Sequence, residues 1–256
     1  MISIRGRGLH TGSLSTVRFF FEEGPVRFKV RGQEVVPRLA WVVETLRSTT
    51  LGTGEVRLQT VEHLLAALYL RGIWQGLLIE VDGPELPILD GSAQEWLELL
   101  GEVSFSPNSP LLVGEPFKLE EGRSLLLAEP ADRFELHVTI SFPHPKIGYQ
   151  RFDSPPRELG ELASARTFGF LEEFSALRER GLAGGASLEN TLVLSRYGYL
   201  NLPRGLDEPV RHKALDFLGD LYLIGAPLQG RFQVHRGSHR LHIAFATSLV
   251  PRLKKR

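Results

Sequence analysis

Apolar and polar residues alternate over Ser15 to Phe21, Val26 to Val30 and Glu34 to Val36, with Gly24-Pro25 and Gly32 as punctuation. A period of two between turn residues predicts short antiparallel strands with one buried face. Trp41 to Val43 and Val56 to Leu58 read the same way. The period then lengthens, and Thr60 to Tyr69 predicts a helix capped by Thr60 and ended at Gly72. Leu77 to Val81 predicts a buried strand, and Ala93 to Leu100 a short amphipathic helix.

Ser104 to Pro110 has the composition of a linker, which divides the chain into domains 1–106 and 111–256. The second half repeats the order of the first. Strands are expected at Leu111 to Phe117, Ser124 to Glu129 and Phe134 to Phe142, the last leaving through an extended Phe142-Pro-His144-Pro145. A helix from Leu171 to Arg180, a flexible Gly181 to Ser187 and a strand from Asn190 to Leu194 follow. A helix from Glu208 to Leu221 and a strand before Gly237-Ser238 lead into a last helix. The fold class is α+β, and the halves are alike in element order rather than in residues.

Composition narrows the chemistry. Thirty basic and thirty acidic residues cancel, so no net field draws the chain to nucleic acid, and Lys254-Lys255-Arg256 reads as a solvated end. With no cysteine in 256 residues, disulfides and thiol chemistry are excluded, and any metal must be held by His and carboxylate. The start has no apolar signal region, and no stretch reaches the roughly 18 apolar residues of a membrane span. The expectation is a soluble, cytoplasmic protein. Gly6-Arg-Gly-Leu-His10-Thr11-Gly12 has neither the ending of a phosphate-binding loop nor the glycine spacing of a dinucleotide fingerprint.

On the helix from Glu208, His212 and Asp216 stand one turn apart on one face, with Asp220 a turn further. Such a pair can clamp a cation, or it can be a solvated face on which Asp216 pairs with His212 or Lys213. Glu62 and His63 occupy the first turn of the earlier helix, where the helix dipole explains an acid and not a histidine. His63, His212 and Asp216 together would give the three protein ligands of a catalytic zinc with one position open. Glu62 would then stand beside the metal as a base, with Thr167 as an electrophile and His239 as a proton donor for hydrolysis of an acyl bond. His242, three residues beyond His239, reads as a packed or exposed helical residue.

Six co-linear motifs carry a resemblance. They are Gly8-Leu-His10-Thr-Gly12, Thr60-Val-Glu62-His63, Leu86-Pro-Ile-Leu-Asp90-Gly-Ser-Ala93, Ser164-Ala-Arg166-Thr167-Phe-Gly-Phe170, Val210-Arg-His212-Lys213-Ala-Leu-Asp216-Phe-Leu-Gly-Asp220-Leu221, and His239. In these the chain resembles the UDP-3-O-acyl-N-acetylglucosamine deacetylases, zinc enzymes of lipid A synthesis. The resemblance implies one zinc, or Fe2+ in the cell, on His63, His212 and Asp216, with Glu62 as base. It implies His239 as the cationic acid, Asp220 as the carboxylate holding its ring, and Thr167 as an oxyanion donor. Lys213, Arg236, Phe142 and Phe168 would contact a UDP-sugar bearing an acyl chain, while His10 and Asp90 would line the site.

The fold implied is two similar α+β domains with the helices packed between two outer sheets. An insert near 41–59 and an acyl-passage insert near 168–200 are implied as well, in a protein expected to be monomeric. The chain departs from the family in two respects. Ser238 stands where the family has Gly before the last His, and the strands before Trp41 and around Gly148 are short. A deacetylase of a different N-acyl sugar or amide is the alternative these departures leave open.

Overall fold

The computed structural model describes residues 2–101 and 108–255, so residues 104–107 of the expected linker lie outside the described residues. In the first half β1 (Ile2–Arg7), β2 (Leu14–Pro25), β3 (Arg27–Val30) and β4 (Gln33–Val35) come first. A small sheet of β5 (Val42–Glu44), β6 (Thr50–Gly52) and β7 (Arg57–Leu58) follows. Helix α1 (Glu62–Arg71), strand β8 (Gln75–Val81) and helix α2 (Gln94–Leu100) complete this half. The main sheet runs β1-β2-β8-β3-β4, with β8 antiparallel to β2 and parallel to β3.

The second half opens with β9 (Leu111–Val113), β10 (Phe117–Glu121), β11 (Ser124–Glu129), β12 (Phe134–Ser141) and β13 (Tyr149–Ser154). A second small sheet of β14 (Phe168–Phe170), β15 (Leu192–Ser195) and β16 (Gly198–Tyr199) encloses the short helix α3 (Phe174–Glu179) in its connections. Helix α4 (Glu208–Tyr222), β17 (Leu228–His235), α5 (His239–Leu249) and β18 (Leu253–Lys255) finish the chain. The main path is β10-β11-β17-β12-β13, with β17 antiparallel to β11 and parallel to β12. Strand order and sense therefore match the first half throughout, and α1 and α4 precede the equivalent inner strands.

Each main sheet buries alternate residues against helices, as a half-buried strand with period two requires. Trp96 of α2 meets Phe19 edge-on, while Phe217 of α4 and Phe245 of α5 pack on Phe232 and Phe117. The helices thus fill the space between two outer sheets. Trp74 stacks on Tyr222 at 4.3 Å, and the Tyr222 hydroxyl donates to the Ile73 carbonyl at 2.8 Å. That contact ties the end of α4 to the start of β8. Leu64, Leu65, Phe217 and Leu218 are fully buried at the centre, each contributing roughly 1.5–3 kcal/mol.

Several expectations change in detail. Thr60 does not cap α1; it has φ 58°, and its hydroxyl donates to Glu85 at 2.7 Å. Buried Glu85 also accepts from the His10 and Thr11 amides and the Thr11 hydroxyl, so it anchors the Gly8–Gly12 loop to the entrance of α1. The exit from β12 after Phe142 is short, because the chain reverses over His144 to Gly148 into β13, with the Ile147 and Gly148 amides both donating to the His144 carbonyl. Gly181 to Ser187 is pinned, with Gly184 N–H on the His10 carbonyl at 2.7 Å and Gly185 N–H on that of Leu9 at 3.0 Å. The basic end is solvated as expected at Lys254 and Lys255, whose side chains are exposed, while its backbone is held because Leu253–Lys255 pairs with β9.

One buried ion pair sets the start of α4. Arg166 Nε lies 2.9 Å from Glu208 Oε1, the Arg166 amide donates to the same oxygen at 3.0 Å, and Arg166 Nη2 reaches the Leu202 carbonyl at 2.7 Å. Glu208 is fully buried, so removing its partner strands a charge. Arg166→Ala is expected to destabilise the fold by about 3–5 kcal/mol, read as a shift of the denaturant midpoint. An unshifted midpoint would show that the pair holds nothing in place.

Candidate metal centre

Helices α1 and α4 touch backbone to backbone. A Cβ on Gly219 would lie 2.1 Å from the Glu62 carbonyl oxygen, so only glycine lets α4 pass this close to the first turn of α1. The approach sets His63, from the first half, against His212 and Asp216, from the second. Gly219→Ala is expected to push the helices apart, costing about 1–3 kcal/mol of stability. It should also cost about 10² in turnover, since a misplacement near 1 Å has that effect. Activity retained in a stable G219A protein would contradict this account of the seat.

Asp216 Oδ1 lies 3.3 Å from His212 Nε2 and 3.9 Å from His63 Nε2, and ligand atoms of the three residues all fall within 4.8 Å of one another. All three residues are buried. Asp216 Oδ1 has no hydrogen-bond partner, which in a buried carboxylate calls for an explanation. His212 Nδ1 is 3.2 Å from the Ala165 carbonyl, so its N–H faces the carbonyl and the Nε2 lone pair faces Asp216. Burial, with the neighbouring His212, pushes His63 down to about 3, and burial likewise lowers His212. Burial opposes ionisation of Asp216, yet His212, Lys213 and His239 around it hold it well below the usual carboxylate range. Two neutral imidazoles and an anionic oxygen with nothing to accept from fit a divalent cation of the zinc or iron kind.

Glu62 and His239 face each other beside this set. Glu62 Oε1 lies 3.8 Å from His239 Nε2, which is 3.9 Å from Asp216 Oδ2. Glu62 Oε2 accepts from the Thr49 amide at 3.0 Å. Burial pushes Glu62 up to about 8, against the pull of His239. Burial works against a charged His239, but Asp220 and Glu62 outweigh it and raise the ring to about 9. His239 is thus the cationic member of the pair at neutral pH.

Asp220 Oδ2 accepts from the Nδ1 atoms of both His239 and His242, each at 2.8 Å, and Asp220 Oδ1 from the Thr49 hydroxyl at 2.6 Å. His242, set aside on sequence, is buried and shares the carboxylate that holds His239. It fits because Gly237 has no side chain: a Cβ there would stand 2.3 Å from His242 Nε2. Ser238 has φ −148° and ψ 158° and serves as the N-cap of α5, its hydroxyl accepting from Leu241 N. The turn takes its positive φ at Arg236, so Ser238 does not displace His239.

The other expected site residues are placed unevenly. Lys213 Nζ donates to Asp216 Oδ2 at 2.7 Å and lies 5.6 Å above the Phe168 ring, which is 6.3 Å from His212. Phe142 packs on Phe168 at 5.5 Å and on Phe170 at 5.9 Å, one ring further out. Thr167 is half-buried and strapped by its backbone, its amide on the Gly91 carbonyl and its carbonyl on the Leu192 amide. The Arg236 backbone bonds Thr139 and Ser124 at the end of β17. Asp90 pairs with Arg204 at 2.6 Å and accepts from Ser92, which makes it a brace of its own turn. His10 is buried with Nε2 unpartnered, and His239 is among the groups that hold its ring below the usual range, after burial.

An α+β protein with a buried His-His-Asp donor set, a carboxylate beside it and an Asp-anchored histidine opposite belongs to the class of metal-dependent hydrolases. The chain is a member of the UDP-3-O-acyl N-acetylglycosamine deacetylase family, whose model matches residues 1–251. Among its relatives, the UDP-3-O-acyl-N-acetylglucosamine deacetylase of Thermosynechococcus vestitus is 42% identical over 262 residues, covering 96% of this chain and 90% of the relative. The protein of the same name from Oleidesulfovibrio alaskensis is 40% identical, covering 97% and 86%. That of Aquifex aeolicus is 39% identical over 261 residues, covering 99% and 92%.

Proposed function

We propose that the chain hydrolyses the N-acetyl group of UDP-3-O-acyl-N-acetylglucosamine, giving UDP-3-O-acyl-glucosamine and acetate, the committed step of lipid A biosynthesis. The observation that carries this reading is the pairing of Glu62 and His239 across an open donor set of His63, His212 and Asp216. Bound by those three residues, one zinc, or Fe2+ in the cell, supplies Lewis-acid polarisation of the amide carbonyl and of water, and the positive charge that keeps Glu62 ionised.

The protein groups divide the proton traffic. Glu62 takes the proton of the attacking water as its oxygen adds to the acetyl carbon. Thr167 donates a hydrogen bond to the oxygen that gains charge. His239, held cationic by Asp220, gives its proton to the amine nitrogen as the C–N bond breaks. Lys213 and Arg236 contact the nucleotide-sugar, and the Phe142, Phe168 and Phe170 cluster lines the passage for the acyl chain. Leu171 and Phe174, both more than a third exposed, extend that apolar lining outward from the second small sheet.

The matched strand orders support two domains, 1–106 and 111–256, with β5–β7 (42–58) and the segment around 168–200 as their inserts. Among the described residues no helix is long and apolar enough to cross a membrane, in keeping with action on a nucleotide-linked substrate in the cytoplasm. The test is acetate release from the complete substrate, compared with analogues lacking the UDP group or the 3-O-acyl chain. Equal rates on all three would remove the substrate assignment and favour a broader N-acyl amide hydrolase.

A further inference from the structure

Thr49 lies in the first small sheet's approach, in the run Arg47-Ser-Thr49-Thr50, where neither periodicity nor any motif singles it out. It is fully buried, and each of its polar groups is engaged. Its amide donates to Glu62 Oε2 at 3.0 Å, its carbonyl accepts from Val61 N at 3.2 Å, and its hydroxyl lies 2.6 Å from Asp220 Oδ1. Asp220 can only accept when ionised, so the hydroxyl proton points to it. Its other oxygen is taken by His239 and His242.

One residue thus touches the base itself and the carboxylate that supports the acid. With Oε2 held by the Thr49 amide, Glu62 has Oε1 left to face His239 and the donor set. With Oδ1 held by the Thr49 hydroxyl, the Asp220 carboxylate cannot turn about its bond to Cβ, and that plane decides where the His239 Nδ1–H, and hence Nε2, points. Thr49 and Glu62 belong to the first half of the chain, Asp220 and His239 to the second.

We propose that Thr49 is a positioning residue that fixes the base and the acid relative to each other across the junction of the two halves. The inference rests on the deacetylase reading above. Its test replaces only the hydroxyl. Thr49→Val keeps the shape and the amide, Thr49→Ser keeps the hydroxyl, and Thr49→Ala removes the hydroxyl within a smaller side chain should the valine protein fail to fold.

For Thr49→Val, or Thr49→Ala in its place, kcat is expected to fall about 10- to 100-fold, the range for groups that orient a metal-site residue. KM and bound metal should be unchanged, and Thr49→Ser should restore kcat. In an Asp220→Asn background the same Thr49 change should cost little more, because its partner is already altered. Wild-type kcat in a folded Thr49→Val or Thr49→Ala protein would overturn the proposal. So would a loss shared equally by Thr49→Ser, or one fully additive with Asp220→Asn. A wild-type protein that releases no acetate from the substrate would instead overturn the underlying reading.

Discussion

Glu62→Gln is expected to lower turnover by about 10² to 10⁴ while leaving the metal bound, since that is the range a positioned general base contributes. Glutamine keeps the size of the side chain, and its oxygen can accept from the Thr49 amide as Glu62 Oε2 does at 3.0 Å. What it cannot do is receive a proton from water. The donor set of His63, His212 and Asp216 is left intact by the change. Metal content and acetate release measured on the same preparation separate the two roles. Near wild-type turnover would strip Glu62 of its part in the reaction, and loss of metal together with turnover would make it a structural support of the site instead.

The second large effect comes from withdrawing the ion. A chelator should abolish turnover and also lower the thermal midpoint, because a ligand that binds only the folded state stabilises it by about 2.7 kcal/mol at a hundredfold excess over Kd. In a chain of this size 1 kcal/mol corresponds to about 2–4 °C, so a fall of about 5–11 °C is expected. Readdition of zinc should restore both quantities, and Asp216→Asn protein should respond to neither treatment. Asp216 is the informative position because its Oδ1 is buried without a protein donor. A thermal midpoint indifferent to chelator and zinc would show that these three residues do not hold an ion in the folded protein.

How much of this could be read from the chain depended on the range of each interaction. The His212 and Asp216 pair was legible because helical spacing alone puts them one turn apart, and the main strands were legible from period-two runs. That His63 meets them depends on a helix crossing, which local pattern cannot show; Gly219, the residue that permits it, stood inside the motif with no task assigned. Glu85 and Thr49 were invisible for the same reason, as their partners lie at Thr60 and His10, and at Glu62 and Asp220. Arg166 stood in a motif with no task assigned, and the structure gives it one in neutralising Glu208. Thr60 misled because a threonine before a helix suggests a cap, whereas its hydroxyl is claimed by a carboxylate 25 positions along the chain. The shared strand order of the halves emerged only from hydrogen-bond register.

The contact between Gly219 and the Glu62 carbonyl has a mechanical meaning beyond the two residues. Where side chains separate two helices, a change in one can be absorbed by a rotamer shift in another. Here main chain rests on main chain, and no such cushion exists. A slip of α4 along α1 by a single residue, about 1.5 Å of rise, would carry His212 and Asp216 past His63. The register of the His63, His212 and Asp216 donor set is thereby indexed to a hard stop between two backbones.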